Sequence, residues 1–215
     1  MILVAGGIKG GSGKTTLATN LTVMRAREGR EVLLVDADDQ QSAAEFTELR
    51  AEEMEDPGYT CIRLDGKAVR DQVQRLKDKY DDVIIDTGGR DTTSQRAALT
   101  VADVLIVPFG PRSLDIWTLE RVEELVADGR AINPELRAYS FINRADHQGS
   151  YNEETREVLS DSEEVKHLSP TLGNRKAFAI AFDYGQSIVE YTPTDKKAVR
   201  EIQELYDTVF DVVPT

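Results

Sequence analysis

Two lysines bracket a glycine-rich run near the start of the sequence, Lys9-Gly10-Gly11-Ser12-Gly13-Lys14-Thr15-Thr16. The run follows a short apolar stretch and opens a helical pattern. Successive glycines let backbone N–H groups turn inward around phosphate oxygens, and the helix that follows points its positive end at the same anion. In such a loop Lys14 reaches the β- and γ-phosphates, the Thr15 hydroxyl ligates Mg²⁺ and the Thr16 hydroxyl lies near the α-phosphate. Gly10, Gly11, Ser12 and Gly13 supply the cradle. The strict pattern G-x-x-x-x-G-K-[ST] is not met, because its first glycine would fall at Ile8. A second lysine, Lys9, stands five residues before Lys14 instead.

Carboxylates follow two further apolar runs. Val35-Asp36-Ala37-Asp38-Asp39-Gln40 places three aspartates just after the first of them. Val83-Ile84-Ile85-Asp86-Thr87-Gly88-Gly89 ends the other, with Asp86 closing its apolar run. Gly88-Gly89 reads as a loop free to rearrange with the γ-phosphate.

These groups need a scaffold that brings the ends of several strands together. Apolar runs at 2–5, 31–36, 59–64, 82–86, 104–107 and 137–143 read as strands. Helical patterns fall at 14–28, 43–53, 67–79, 92–101, 113–128, 151–160, 175–182 and 194–210, with Ser113 as a cap and Gly129 as a stop. Strands alternating with helices imply an α/β fold, a mostly parallel central sheet flanked by helices on both faces. The whole length, 1–215, reads as a single nucleotide-binding domain.

Composition excludes several classes. Asp+Glu number 39 against 26 Lys+Arg, a net charge of −13, so the overall field repels nucleic acid and anionic lipid. The single cysteine, Cys61, rules out an internal disulfide or a cysteine-ligated cluster within one chain, and its strand setting suggests a buried, inert thiol. No apolar run approaches the ~20 residues of a membrane span, and the N-terminus lacks the basic region of a signal peptide. The class expected is soluble and cytoplasmic. His147 and His167 have no partner at metal-ligand spacing and read as surface or loop residues.

The octet from Lys9 to Thr16 resembles the deviant Walker A motif of the ParA/MinD superfamily of P-loop ATPases, in which the early lysine, here Lys9, reaches across a dimer to the other subunit's nucleotide. The resemblance extends along most of the chain. Residues 35–40 are similar to the family's D-x-D-P-Q segment, with Asp39 where proline is usual. Its water-positioning aspartate then falls on Asp38, and a companion near the metal on Asp36. Val83–Gly89 looks like its Walker B strand, with Gly88 in place of proline, and this implies that Asp86 accepts from a water on Mg²⁺ and holds the ion beside Thr15. Residues 107–115 resemble its h-P-h-x-P-S-x-x-D stretch, and Asn143-Arg144 sits where adenine contacts occur. With no helix-turn-helix segment before the first strand, the chain looks like the short ParA type, similar to ParF.

What this resemblance implies is an ATP- and Mg²⁺-dependent ATPase that forms a homodimer when ATP-bound. It would bind DNA nonspecifically at the nucleoid and respond to a ParB-like or ParG-like adaptor protein to segregate a plasmid, chromosome or other cargo. The basic residues available for DNA are Arg175, Lys176, Lys196, Lys197 and Arg200, with Arg144 nearby. A MinD-like membrane cycle is the alternative, although the C-terminal sequence is too acidic to suit anionic lipid. A metabolic ATP-dependent ligase is a second alternative on the same scaffold.

Overall fold

The computed structural model describes residues 1–111, 118–148 and 150–211. Its elements run β1 (Ile2–Ala5), α1 (Lys14–Arg27), β2 (Val32–Ala37), α2 (Ser42–Met54), β3 (Thr60–Arg63), α3 (Ala68–Leu76, extended by a 3₁₀ turn Lys77–Lys79) and β4 (Asp82–Thr87). Then follow α4 (Thr93–Leu99), β5 (Val104–Phe109), α5 (Leu119–Arg130), β6 (Arg137–Ala145), α6 (Tyr151–Ser160), β7 (Lys166–Gly173), α7 (Lys176–Asp183) and α8 (Lys196–Asp211). The expected cap at Ser113 and the segment Arg112-Ser113-Leu114-Asp115 lie outside the described residues.

Seven strands form one sheet in the order β3-β2-β4-β1-β5-β6-β7, and every neighbouring pair is parallel. All residues of β1, β2, β4 and β5 are buried, as continuous apolar runs covered on both faces must be. Alternate side chains feed two cores. Ile2, Val4, Leu33 and Val35 pack with Val69 and Val73 of α3, Leu99 of α4 and Leu125 of α5. Leu3, Ala5, Val32 and Leu34 face the opposite way, onto Leu17 and Leu21 of α1 and Ile202 and Leu205 of α8.

The chain leaves β1 toward β2 and later returns to place β5 on the other side of β1. This reversal opens a crevice above the carboxyl end of β1, where parallel α/β sheets bind their ligands. The glycine loop sits there.

Four expectations need correcting. Gly129 does not stop its helix, since α5 continues to Arg130. A β-carbon on it would lie 3.1 Å from the Leu136 side chain and 3.3 Å from Leu99, so this glycine serves close packing. Strand β7 is absent from the strands expected, because polar residues and Pro170 interrupt its pattern. It is an edge strand whose pairing with β6 slips between Ser140 and Ile142. His167 lies on β7 and not in a loop; it is half-buried, with Nδ1 3.5 Å from the Ser140 hydroxyl, and burial lowers its pKa. Cys61, expected buried, is half-buried on β3, and desolvation pushes its thiol up to about 11.

Candidate functional site

Helix α1 starts without the usual cap. Gly13, at φ 98°, is its N-cap, no side chain caps it, and its first turn holds no acidic residue. Its first N–H groups are therefore left for an external anion. Beneath them Lys14 is only 5 % exposed, and its Nζ donates to the Lys9 carbonyl at 3.0 Å. Burial lowers the Lys14 pKa, against the attraction of Asp86 and Asp38.

Asp86, one residue before the end of β4, is fully buried, and neither carboxylate oxygen has a hydrogen-bond partner. Desolvation pushes its pKa up to about 8; the adjacent Thr15 hydroxyl and Lys14 offset this in part, while Asp36 and Asp38 add to it. A buried carboxylate left unpaired is costly unless a cation satisfies it. The orphaned oxygens beside Thr15 thus fit a divalent ion.

Asp36 lies opposite Asp86 in the β2–β4 register. Its oxygens accept from the backbone N–H of Asp38 at 3.1 Å and of Ala44 at 2.8 Å. In this structure it braces the turn that carries Asp38. Asp38 itself is half-buried, accepts from the Gln40 N–H at 3.2 Å, and faces an open cavity of about 760 Å³. Gly10, Lys14, Thr15, Thr16, Gly88, Arg90 and Arg144 also line that cavity.

Residues 2–188 match the family described as the CobQ/CobB/MinD/ParA nucleotide binding domain. The chain belongs to this family of nucleotide-binding domains. It is 27 % identical over 213 residues to a maintenance of carboxysome distribution protein A of Halothiobacillus neapolitanus, covering 96 % of this chain and 95 % of that one. The fold matches a plasmid partition protein of Borrelia burgdorferi bound to AMPPNP with a TM-score of 0.79 at 18 % identity, over 99 % of each chain. It matches the cell division ATPase MinD of Pyrococcus furiosus with a TM-score of 0.76 at 18 % identity, over 98 % of each chain.

Within this ParA/MinD-family frame the remaining expected residues fall in two places. Asn143, at the end of β6, donates from Nδ2 to the Ser12 carbonyl at 2.7 Å and accepts the Arg144 N–H at 2.9 Å. Its amide therefore clamps the glycine loop, and a β-carbon on Gly13 would collide with it at 2.3 Å. Arg144 adopts φ 55°, rare for a side chain of its size, and borders both the main cavity and a smaller one of about 240 Å³. Gly13, Thr16, Asn174 and Phe178 line the smaller cavity.

The basic cluster is only partly available. Arg175 is ion-paired with Glu201 of α8, with Nε 2.9 Å from Oε2. Lys176 is exposed at the start of α7, and Lys196, Lys197 and Arg200 are exposed on the first turns of α8. Among the described residues, no helix is long and apolar enough to cross a membrane.

Sequence reasoning missed Gly89 as a packing residue. It also missed Gln95, which is fully buried on α4 and touches both the start of the glycine loop and the end of β4. An uncharged residue in a short helix carries no motif that would have marked it.

Proposed function

We propose that this protein is an ATP-driven partition and positioning ATPase. The observation that carries the reading is a two-lysine phosphate loop whose cavity is lined by Lys14, Thr15 and Asp38, with the fully buried Asp86 carboxylate adjacent to Thr15. The loop N–H groups and Lys14 bind the triphosphate. Thr15 and Asp86 would hold Mg²⁺, which supplies neutralisation of phosphate charge, while Asp36 keeps the Asp38 turn in place. Asp38 orients the attacking water. Lys9 of a second copy adds positive charge in trans, and positioning with electrostatic stabilisation does most of the work in phosphoryl transfer. Loss of the γ-phosphate relaxes the Gly88-Gly89 segment and opens the dimer.

In this reading the ATP-bound dimer holds DNA without sequence preference, and a ParB-like or ParG-like adaptor stimulates hydrolysis. The likeness to a carboxysome distribution protein over nearly the whole chain supports a protein body as cargo beside a plasmid or chromosome. The experiment is size-exclusion chromatography with a slowly hydrolysed ATP analogue. Lys9→Ala should keep nucleotide binding but lose dimerisation and hydrolysis, whereas Lys14→Ala should lose binding itself. A Lys9→Ala variant that dimerises like wild type removes the trans role.

A further inference from the structure

We propose that Gln95 is a positioning residue for phosphoryl transfer, one amide that yokes the entry of the phosphate loop and the metal-side strand to helix α4. This rests on the ATPase reading and names a residue which that reading does not use.

Gln95 is 0 % exposed. Its Oε1 accepts the Gly7 N–H at 3.1 Å, two residues before Lys9, and lies 2.8 Å from the Thr87 hydroxyl, one residue after Asp86. The Gly7 N–H can only donate, and this fixes which way round the amide sits. Thr87 has one proton and two acceptors in reach, Gln95 Oε1 and the Ala5 carbonyl at 3.1 Å. One oxygen thus meets groups from the ends of β1 and β4, the two strands that carry the phosphate loop and Asp86.

The backbone of the same residue belongs to the helix that follows the Gly88-Gly89 segment. Its N–H donates to the Thr92 hydroxyl at 3.1 Å, which caps α4, and Thr92 itself lines the phosphate cavity. The next residue, Arg96, grips Asp91 through Nε at 2.6 Å and reaches Asp128 of α5 at 2.8 Å. Thr92 and Asp91 therefore tether the segment from Gly88 to Thr92 to the first turn of α4. A displacement that follows the γ-phosphate must carry the first turn of α4, and Gln95 passes it to Gly7 and Thr87. The amide Nε2 is buried with no partner. A buried donor left spare is uncommon, and here it is available to a carbonyl brought near by that displacement.

A residue that only fills space would alter stability and leave catalysis in step with binding. The test measures kcat, KM and affinity for a fluorescent ADP analogue in wild type, Gln95→Met, Thr87→Val and the double variant. Gln95→Met should lower kcat by about tenfold or more, as small misplacements of reacting groups do, with nucleotide affinity held within about threefold. Thr87→Val should give part of that loss, and the double variant should be no worse than Gln95→Met, because both changes remove one linkage. Unchanged kcat in Gln95→Met, or losses that multiply in the double variant, overturns the proposal. Amide exchange on the wild type needs no variant. Adding a slowly hydrolysed ATP analogue should change protection at Gly7 and across residues 93–99 together. A change at residues 9–15 with 93–99 unaffected also overturns it. A wild type without ATPase activity removes the parent reading, and amide exchange with the slowly hydrolysed ATP analogue still decides the coupling.

Discussion

Gly89 lies against Gly10 so closely that a β-carbon on Gly89 would come within 2.4 Å of both the N and the Cα of Gly10. The segment after β4 and the phosphate loop therefore meet backbone to backbone, and no side chain fits between them. Its neighbour Gly88 backs onto Asp38, where a β-carbon would lie 3.1 Å from Oδ1. Two adjacent glycines thus set the distances from the switch segment to the phosphate seat and to the water-positioning carboxylate.

Gly89→Ala should displace one of the two loops, since neither backbone can yield cheaply. Nucleotide affinity is expected to fall by about tenfold, roughly 1.4 kcal/mol. Gly88→Ala meets a movable side chain, so it should leave affinity near wild type and reduce turnover by misplacing Asp38. Titration with a fluorescent ADP analogue, followed by steady-state ATPase assays, separates the two.

Asp86 gives a pH dependence with a definite sign. Its pKa in the folded chain is about 8, above the ordinary 3.8, so between those values the folded state binds more protons than the unfolded state. Stability of the metal- and nucleotide-free protein should then fall as pH rises through that window, by an amount on the order of a few kcal/mol. Asp86→Asn should flatten this slope and raise the thermal midpoint at pH 8 in EDTA, while abolishing Mg²⁺-dependent hydrolysis. Calorimetry at pH 5 and pH 8 is the measurement. A variant with the wild-type slope would show that another group is responsible.

Asp36 and Asp38 should fail differently. Asp38→Ala is expected to reduce turnover by about 10²-fold, the scale of lost positioning or general-base help, with the folded state intact and nucleotide still bound. Asp36→Ala strands the N–H groups of Asp38 and Ala44, the latter buried, and should cost about 1–3 kcal/mol of stability as well as turnover. Thermal unfolding beside single-turnover hydrolysis distinguishes a brace from a catalytic group.

How far the sequence reveals this site depends on the kind of signal each residue leaves. Lys14, Thr15 and Asp86 stand at motif spacing beside strong apolar strands; the structure puts Lys14 and Thr15 on the cavity and the buried Asp86 next to both. The sheet is legible for the same reason, because β1, β2, β4 and β5 are uninterrupted apolar runs. Asn143 belongs at the site by its position at a strand end, yet only the fold shows its amide reaching back 131 residues to Ser12. Gln95 leaves no mark, and Gly89 shows only as part of a loop, since burial of a neutral amide and contact between two glycines are tertiary facts. Strand β7 is hidden by the chemistry that suits it to an edge.

The ion pair between Arg175 and Glu201 reshapes the DNA expectation. Charge reversal at Lys196, Lys197 and Arg200 should weaken binding of the ATP-bound protein to unrelated duplexes, and should reduce its salt slope by about one unit for every phosphate no longer neutralised. Arg175→Glu should instead set two acids together and lower stability first. The pair is worth no more than about 1 kcal/mol at its partial exposure. Mobility shifts across a salt series, with ATP and with ADP, read out the first effect, and thermal melts the second.

The two borders of the sheet limit how copies of this chain can join. On one side β3 is four residues long and ends at Arg63, which is tied to Glu48. On the other, Pro170 removes a donor from the middle of β7 just where the ladder slips. Neither border offers the straight row of N–H and C=O groups that templates an incoming strand. Strand-by-strand growth into a continuous ribbon is therefore closed to this fold. Assembly is left to the loop-bearing end of the sheet and the helical flanks, so it can be made conditional on what the glycine loop holds and be undone when that is lost.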